Sequence, residues 1–378
     1  MADLCKQRST KGNDDRGGTD RRASAKGEIL AFDDRWLDRL RLELAWFTGQ
    51  ALLRSRGTGA ILRFRHVRPR RRGGFQPLRE HEVTPQFLDR AIRALKRWDY
   101  DFVDMDEVCR RAVTLPEKRR FVALTFDGAS KDIATFAYPV LARHAVPFTI
   151  YVPTAFPDGV GEAWWLGLEQ VIARESRVIL MMGEKEQRFT VSDDAGKRAL
   201  FSHLEGWLRS LPQADLSAAI VDLCTRYRVD LAALSRETSM NWEDLAKFAA
   251  DPLVTIGSAT VNYPVLANLK DPAALREMAM GKAVAQSAFH REIRHFAFPF
   301  GDRASFRRSH VVMAEEAGFA SAVSTIPGIV EAEGRTNLRA LPRISWNGRV
   351  RSLRMLRVLV SGATFAPVKP TGSATSRI

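Results

Sequence analysis

The chain has 378 residues, of which 45% are hydrophobic and 27% charged, and its formal net charge is +14. This length and apolar content allow a sizeable core, and a barrel-type enzyme domain of about 250 residues fits within the chain together with flanking segments. The cysteines Cys5, Cys109 and Cys224 are odd in number and far apart. This spacing argues against a disulfide framework and a cysteine-based zinc site, and it favours a reducing compartment.

The start of the chain is polar. No window approaches the roughly 18 to 20 apolar residues of a membrane span, and the first 30 residues lack the apolar stretch of a secretory signal. We therefore expect a cytoplasmic protein whose residues 1–30 are disordered. An amphipathic pattern then predicts an N-terminal helix within residues 31–57.

The positive charge is concentrated in two flanks. Residues 54–73 contain eight arginines and no acid, and residues 343–378 contain six arginines and one lysine without an acid. These flanks can contact an acidic polymer or a membrane surface, or they can form a solvated basic surface that has no partner. The sequence contains no specific nucleic-acid motif.

From residue 60 onward the apolar pattern predicts alternating strands and helices. Residues 60–67 have a strand pattern, and Thr84 and Pro85 are the N-cap and first residue of a predicted helix. Further strands are predicted at residues 100–103, 121–126, 146–152 and 254–257. The charged, helical pattern of about 169–234 indicates an insertion without recognisable chemistry.

The central unit of the chain is the sequence RFVALTFDGASKD, residues 120–132. A run of strand-forming residues stops at Asp127 and Gly128, as expected when a buried parallel strand delivers an acid to the carboxyl edge of a sheet. Residues 132–144 follow with helical spacing. Because barrel enzymes hold their chemistry at that edge, Asp127 is the candidate catalytic residue.

This segment resembles the first motif of the polysaccharide deacetylases, carbohydrate esterase family 4, which includes the nodulation-type (NodB) chitooligosaccharide deacetylases. In the family motif TFDDG, the first Asp is the catalytic base and the second binds a divalent metal, usually zinc. Here the base position is Asp127, and Gly128 stands at the metal position. The resemblance covers about residues 60–350 and implies an α/β fold, a distorted (β/α)7 barrel of the NodB-homology type.

The second family motif, SHTxxHP, contributes two metal-binding histidines. This chain reads SATVNYP, which places Ala259 and Tyr263 at the two histidine positions. A methyl group cannot coordinate zinc, and a phenol with a pKa of about 10 does so poorly. All three metal positions are thus replaced, and we expect no cofactor. Other groups near strand ends, none with ligand spacing, are His66, His295, Asp132 and Asp302.

Aromatic residues follow the third motif, because RHFAFPFGD resembles the family pattern RxFAYPYGD that forms a wall of the groove. The resemblance implies substrate-binding roles for Phe298, Pro299 and Phe300, and for Trp346 beside the closing strand. Two further residues, Trp164 and Trp165, can stack against sugar rings or plug the edge of a core.

The family reaction is metal-assisted hydrolysis of acetyl groups on an N- or O-acetylated oligo- or polysaccharide. Because the ligands are replaced, we predict a polysaccharide deacetylase-family protein that has lost this activity. The alternatives are an active carbohydrate deacetylase with a rebuilt site, and a basic glycan-binding or scaffold pseudoenzyme. The predicted domains are a barrel over residues 58–350 and a basic C-terminal tail over residues 351–378.

Overall fold

The computed structural model describes residues 42–48, 57–183, 185–346, 348 and 352–365. Residues 42–47 are helical, in agreement with the predicted N-terminal helix. The predicted disordered start, the rest of that helix and the last thirteen residues lie outside the described ranges.

The strands are β1 (Gly59–Phe64), β2 (His66–Val67), β3 (Glu82–Val83), β4 (Asp101–Phe102), β5 (Phe121–Asp127), β6 (Phe148–Val152), β7 (Arg177–Met182), β8 (Lys185–Thr190), β9 (Val254–Ser258), β10 (His295–Ala297), β11 (Ser321–Val323) and β12 (Ile344–Ser345). The helices are α1 (Pro85–Arg97), α2 (Met105–Val113), α3 (Tyr138–Arg143), α4 (Trp164–Arg174), α5 (Asp194–Ser210), α6 (Gln213–Arg226), α7 (Leu231–Thr238), α8 (Trp242–Ala249), α9 (Asp271–Phe289), α10 (Arg308–Glu316) and α11 (Leu353–Ser361). A π-helical turn, Ile133–Ala137, leads into α3.

The main sheet is parallel, with the order β11-β10-β9-β6-β5-β1-β12, and β4 pairs with the start of β5. Residues 341–345 contact both ends of this sheet. Leu341 bridges to Val323 of β11, whereas Ile344 pairs with Leu62 of β1. The sheet therefore closes into the predicted (β/α)7-type barrel, and the carboxyl ends of its strands meet at one mouth.

Side chains alternate between two cores along each barrel strand. On β5, Val122, Leu124 and Phe126 pack outward against the helices, whereas Phe121 and Ala123 point into the barrel. The same alternation continues to Thr125 and Asp127, so the carboxylate of Asp127 enters the barrel interior. On the neighbouring strand β1, the inward-facing residues are Ile61 and Arg63. Arg65, which follows the last residue of β1, continues this alternation.

The predicted elements of the barrel are confirmed. Thr84 caps α1 by accepting the N–H of Phe87, and Pro85 is the first helical residue. The predicted strand at residues 146–152 is β6, and the one at 254–257 is β9.

The insertion between β6 and β9 differs from the helical pattern expected over residues 169–234. The strands β7 and β8 form an antiparallel hairpin, since the apolar residues Val178 and Leu180 alternate with more exposed neighbours and Gly183 adopts a positive φ at the turn. The hairpin packs with α4, α5 and α6 around a hydrophobic cluster of its own.

The C-terminal segment also differs from expectation. Within the predicted tail, Ser352 caps α11, and Met355, Leu356 and Val360 pack against the main core. None of the described helices is long and apolar enough to cross a bilayer. The thiols of Cys109 and Cys224 are both free.

Candidate functional site

The carboxylate of Asp127, the last residue of β5, is saturated by two arginines. Arg343 binds it through both terminal nitrogens, with Nη1–Oδ1 at 2.6 Å and Nη2–Oδ2 at 2.9 Å. Arg63 on β1 donates its Nε to Oδ2. The side chain of Asp127 is only 2% exposed, so the three residues form a buried ionic triad.

The triad determines the charge state of Asp127. Burial alone would raise the pKa of this carboxyl, but the attraction of Arg343 and Arg63 outweighs burial and lowers the pKa to about 2. A general base is most effective when its pKa lies near the working pH. Asp127 is therefore a weak base at neutral pH.

Arg343 is also held by the barrel. Its side chain is fully buried, and it donates Nε to the carbonyl of Ser324 at 2.7 Å and Nη1 to the hydroxyl of Thr125 at 3.2 Å. A buried guanidinium with four hydrogen bonds is rigid and charged. This arginine belongs to the flank in which the sequence predicted a basic surface, and it instead lies inside the protein.

The three positions that the motif resemblance matches to the family's metal ligands carry no nitrogen, sulfur or carboxylate side-chain donor. Gly128 has no side chain and adopts a φ of +91°, and Ala259 presents a buried methyl group. The Tyr263 hydroxyl accepts the N–H of Phe300 at 3.4 Å, and its ring packs 6.0 Å from Trp165. Zinc requires nitrogen, sulfur or carboxylate ligands. Among the described residues, no group of three or more His, Cys, Asp or Glu side chains is arranged to hold a metal.

A cavity of about 170 Å³ opens beside Asp127 at the mouth of the barrel. Its lining includes His66, Asp127, Asp132, Phe156, Trp165 and Tyr263. Small-molecule sites typically enclose about 300 to 1,000 Å³ and combine apolar walls with a few polar groups. This cavity is smaller, but it also combines apolar walls with a few polar groups. Its volume suits one part of a larger ligand.

His66 and Asp132 form a hydrogen-bonded pair in the wall of this cavity, with Nδ1–Oδ2 at 2.9 Å. Burial lowers the pKa of His66 below its ordinary value, and Asp132 only partly opposes this effect. The ring is therefore neutral at pH 7, and it donates Nδ1–H because a carboxylate can only accept. In the part of the chain that the structure describes, the Nε2 of His66 has no hydrogen-bond partner.

Sequence reasoning named both residues but did not pair them. His66 follows β1 and Asp132 lies five residues beyond β5, and their contact depends on the pairing of these strands. The two other groups near strand ends lie elsewhere. His295 bonds to the hydroxyl of Ser321, and Asp302 pairs with Arg209.

The aromatic residues predicted to bind substrate are mostly part of the core. Phe298 is fully buried and stacks on Phe306 with centroids 4.3 Å apart. Trp346 is 2% exposed and packs against Phe64 and Phe87. These rings have no face open to a ligand.

Pro299 is buried as well, and the half-buried Phe300 packs 5.2 Å from Tyr263. Trp164 is 4% exposed. Trp165 reaches the cavity, although Arg65 covers one face at 4.6 Å and Phe156 stacks on the ring at 6.1 Å.

Some arginines of the basic flank before residue 73 form ion pairs within the protein. Arg68 and Arg71 each donate to Glu82 at 2.7 Å, and Arg71 also reaches Glu169. Arg70 and Arg72 are exposed. Arg54 and Arg56 lie outside the described residues.

Comparison with solved structures identifies the class of fold, which is that of the polysaccharide deacetylases. The chain is similar to the Streptococcus pyogenes deacetylase PplD, solved in complex with acetate, with a TM-score of 0.52 and 16% identity over 81% of this chain and 99% of that chain. It is also similar to IcaB from Ammonifex degensii, with a TM-score of 0.50 and 14% identity over 80% of this chain and 97% of that chain.

A third similar structure is the de-N-acetylase from Aggregatibacter actinomycetemcomitans, with a TM-score of 0.50 and 12% identity over 79% of this chain and 99% of that chain. No model of a protein family matches the chain, and no curated protein matches it. The likeness confirms the deacetylase resemblance, drawn from the motifs, at the level of the fold.

Proposed function

We propose that this protein binds an acetylated oligo- or polysaccharide at the mouth of the barrel and does not carry out the metal-dependent hydrolysis of the family. The observation that carries the proposal is the buried triad. Asp127, at the family's base position, accepts three N–H groups from Arg63 and Arg343. With Gly128, Ala259 and Tyr263 at the family's ligand positions, the donor set for zinc is missing.

The cavity beside the triad supports a binding role. Its apolar wall contains Phe156 and Trp165, and its polar wall contains the open Nε2 of His66. A sugar ring presents the same two kinds of surface, since its C–H faces pack on apolar side chains and its hydroxyls donate hydrogen bonds.

The test combines metal analysis, activity and binding on the full chain. We expect no stoichiometric zinc, no acetate release from chitooligosaccharide, and weak binding of tetraacetylchitotetraose by calorimetry that a chelator does not change. Trp165→Ala should weaken binding about tenfold by removing a wall of the cavity. Trp98→Ala, beyond the end of α1 and not in the cavity lining, is the matched control.

One tightly bound divalent ion per chain at this position would contradict the proposal, and so would zinc-dependent acetate release. If neither chitooligosaccharide nor any other acetylated glycan binds, the binding role is wrong.

A second candidate function is an active deacetylase with a rebuilt, metal-independent site. The pair of His66 and Asp132 favours it, because a neutral imidazole oriented by a carboxylate is the arrangement that activates water or a hydroxyl in many hydrolases. Acetate release that resists chelator and disappears in His66→Ala would support this candidate over the binding protein.

A further inference from the structure

Two arginines reach the barrel mouth from the same face of β1. Arg63 and Arg65 are alternate residues, so their side chains project to the same side of the sheet about 7 Å apart along the strand. Arg63 uses Nε to bind Asp127, and the rest of its guanidinium faces the hydroxyl of Tyr263. Its side chain is largely buried, with 10% exposed.

Arg65 has no carboxylate partner among the described residues. Its guanidinium lies 4.6 Å from the ring centroid of Trp165. Burial lowers the pKa of Arg65, and Tyr263, Asp127 and Glu205 oppose this effect in part. A desolvated guanidinium is normally paired, because burying an unpaired charge is unfavourable.

The local charges do not balance. Arg63, Arg65 and Arg343 carry three positive charges, and the buried carboxylate of Asp127 carries one negative charge. Glu205 on α5 is the other acid that faces Arg65, but it lies beyond ion-pair distance and burial raises its pKa. Among these five groups the positive charges outnumber the negative ones by one, and Asp132, which faces His66 together with Arg65, is the next acid.

Tyr263 adds a neutral donor to this cluster. Its hydroxyl oxygen accepts the N–H of Phe300, so the O–H hydrogen is free to point toward an acceptor. The ring of Tyr263 lies 6.0 Å from Trp165, on which Arg65 stacks. Trp165 and Tyr263 line the cavity, and both Arg63 and Arg65 face Tyr263 beside it.

We propose that Arg63, Arg65 and Tyr263 form a binding site for the anionic group of an acidic sugar residue. The anion is a carboxylate, phosphate or sulfate, which a guanidinium binds through two parallel N–H groups. The adjoining cavity takes the ring of the same residue. This inference rests on the proposed glycan-binding function and names the class of glycan.

The test compares matched ligands by calorimetry on the full chain in about 150 mM salt, at which long-range charge effects are screened. The probes are tetragalacturonate, neutral tetraacetylchitotetraose, inorganic phosphate and inorganic sulfate. We expect tetragalacturonate to bind about tenfold or more tightly than the neutral tetramer, because charge-assisted hydrogen bonds are added.

Variants locate the site. Arg65→Met keeps the packing on Trp165 and should weaken tetragalacturonate binding about tenfold, with the neutral tetramer unchanged within about twofold. Tyr263→Phe keeps the ring and should weaken the binding of tetragalacturonate about threefold or more. The matched control is Arg70→Met, at an exposed position, which should change nothing. Circular dichroism and thermal melting check the fold of each variant.

The outcomes separate this inference from the proposed function. Equal affinity for the acidic and neutral tetramers would overturn the anion site and leave the glycan-binding role intact. An equal loss in Arg65→Met and Arg70→Met would also overturn it, because the effect would then be general surface charge. If phosphate or sulfate binds through Arg65 but no oligosaccharide binds, the sugar assignment is wrong together with the proposed function.

Discussion

Two carboxylates stand at the same end of the barrel, and their surroundings differ. Asp127 is in the floor of the site, where Arg63 and Arg343 occupy both of its oxygens. Asp132 is in the wall, where one oxygen orients His66 and the other, Oδ1, is buried without a partner. A fully paired carboxylate contributes to stability, whereas a partly paired one beside a cavity can still bind a ligand.

The two arginines also give a structural reason for an Asp at position 127, which the motif resemblance matches to the family's base. Once two arginines are enclosed in the barrel, a carboxylate between them offsets the unfavourable burial of their charges. An Asp at position 127 therefore does not require catalysis, and it is compatible with Gly128, Ala259 and Tyr263 at the positions matched to metal ligands.

The largest effect expected is the return of metal binding to the floor. The variant Gly128→Asp, Ala259→His, Tyr263→His should take up one zinc ion with a dissociation constant of about 1 μM, equivalent to about −8 kcal/mol. A Cβ at Gly128 meets no atom within 4 Å, but the φ of +91° strains any side chain there, so the affinity expected is weaker than that of a native zinc site.

Arg63, in the floor of the site, should weaken zinc binding by this variant. Arg63 lies against Asp127, next to the new ligand at 128, and a cation there repels zinc. Adding Arg63→Met should therefore tighten zinc binding, as measured by calorimetry and elemental analysis. If both repaired proteins fold and neither takes up zinc, the three positions do not surround a common point.

The second effect is a difference in stability between variants of Asp127, in the floor of the site, and of Asp132, in its wall. Asp127→Asn should lower the free energy of unfolding by about 3 to 5 kcal/mol, because it leaves two buried guanidinium groups without their counter-charge. Asp132→Asn replaces the charged acceptor of the His66 Nδ1–H with a neutral amide oxygen and should lower the free energy of unfolding by only about 1 kcal/mol. Urea unfolding followed by circular dichroism measures both.

The control for this pair is Asp99→Asn, at a surface ion pair whose acid is 65% exposed, for which a change within about 0.5 kcal/mol is expected. A loss in Asp127→Asn no larger than that of the control would show that the triad contributes nothing to stability.

The third effect is the acid sensitivity of the floor. The pKa of Asp127 is about 2 in the folded protein and about 3.9 in an unfolded chain. Its contribution is therefore fully present above about pH 4 and is lost as the pH falls toward 2, with a total of about 2 to 3 kcal/mol. The stability difference between the wild type and Asp127→Asn should shrink over that range in urea titrations. A difference that stays constant would contradict the charged triad.

A feature of the fold or the site can be predicted from the sequence when it depends on residues that are close together in the chain. The fold follows from short-range patterns, such as the Thr84 cap and the apolar run that ends at Asp127. The position of Asp127 at a strand end is likewise local. The hairpin of the insertion was missed because its apolar residues also suit a buried helix face.

The contacts of the site are not local. Arg343 is 216 residues from Asp127, and their meeting depends on the register with which residues 341–345 close the barrel. Phe298 and Trp346 match family positions, yet Phe298 stacks on Phe306 and Trp346 on Phe64. A motif fixes the position of such a ring in the chain, whereas the surrounding side chains decide which of its faces are covered.

The smallest effect concerns the wall and the pH dependence of ligand binding. The Nε2 of His66 can accept a ligand hydroxyl only while the ring is neutral. The charged groups that face this ring are Asp132, Arg68 and Arg65, and burial lowers the pKa of His66. Affinity for tetraacetylchitotetraose should therefore be constant from about pH 8 to about 6.5, and it should fall at lower pH as the ring is protonated.

Replacing His66 tests this directly. His66→Gln should weaken binding at pH 7.5 by about 1 kcal/mol, a factor of about five, and should remove the fall at low pH. His144→Gln is the matched control, because His144 pairs with Asp89 through Nε2 at 2.8 Å and does not line the cavity. Calorimetry between pH 5 and pH 8 measures both variants. If His66→Gln keeps the pH profile of the wild type, the imidazole does not contact the ligand, and the wall pair, like the floor triad, serves only the fold.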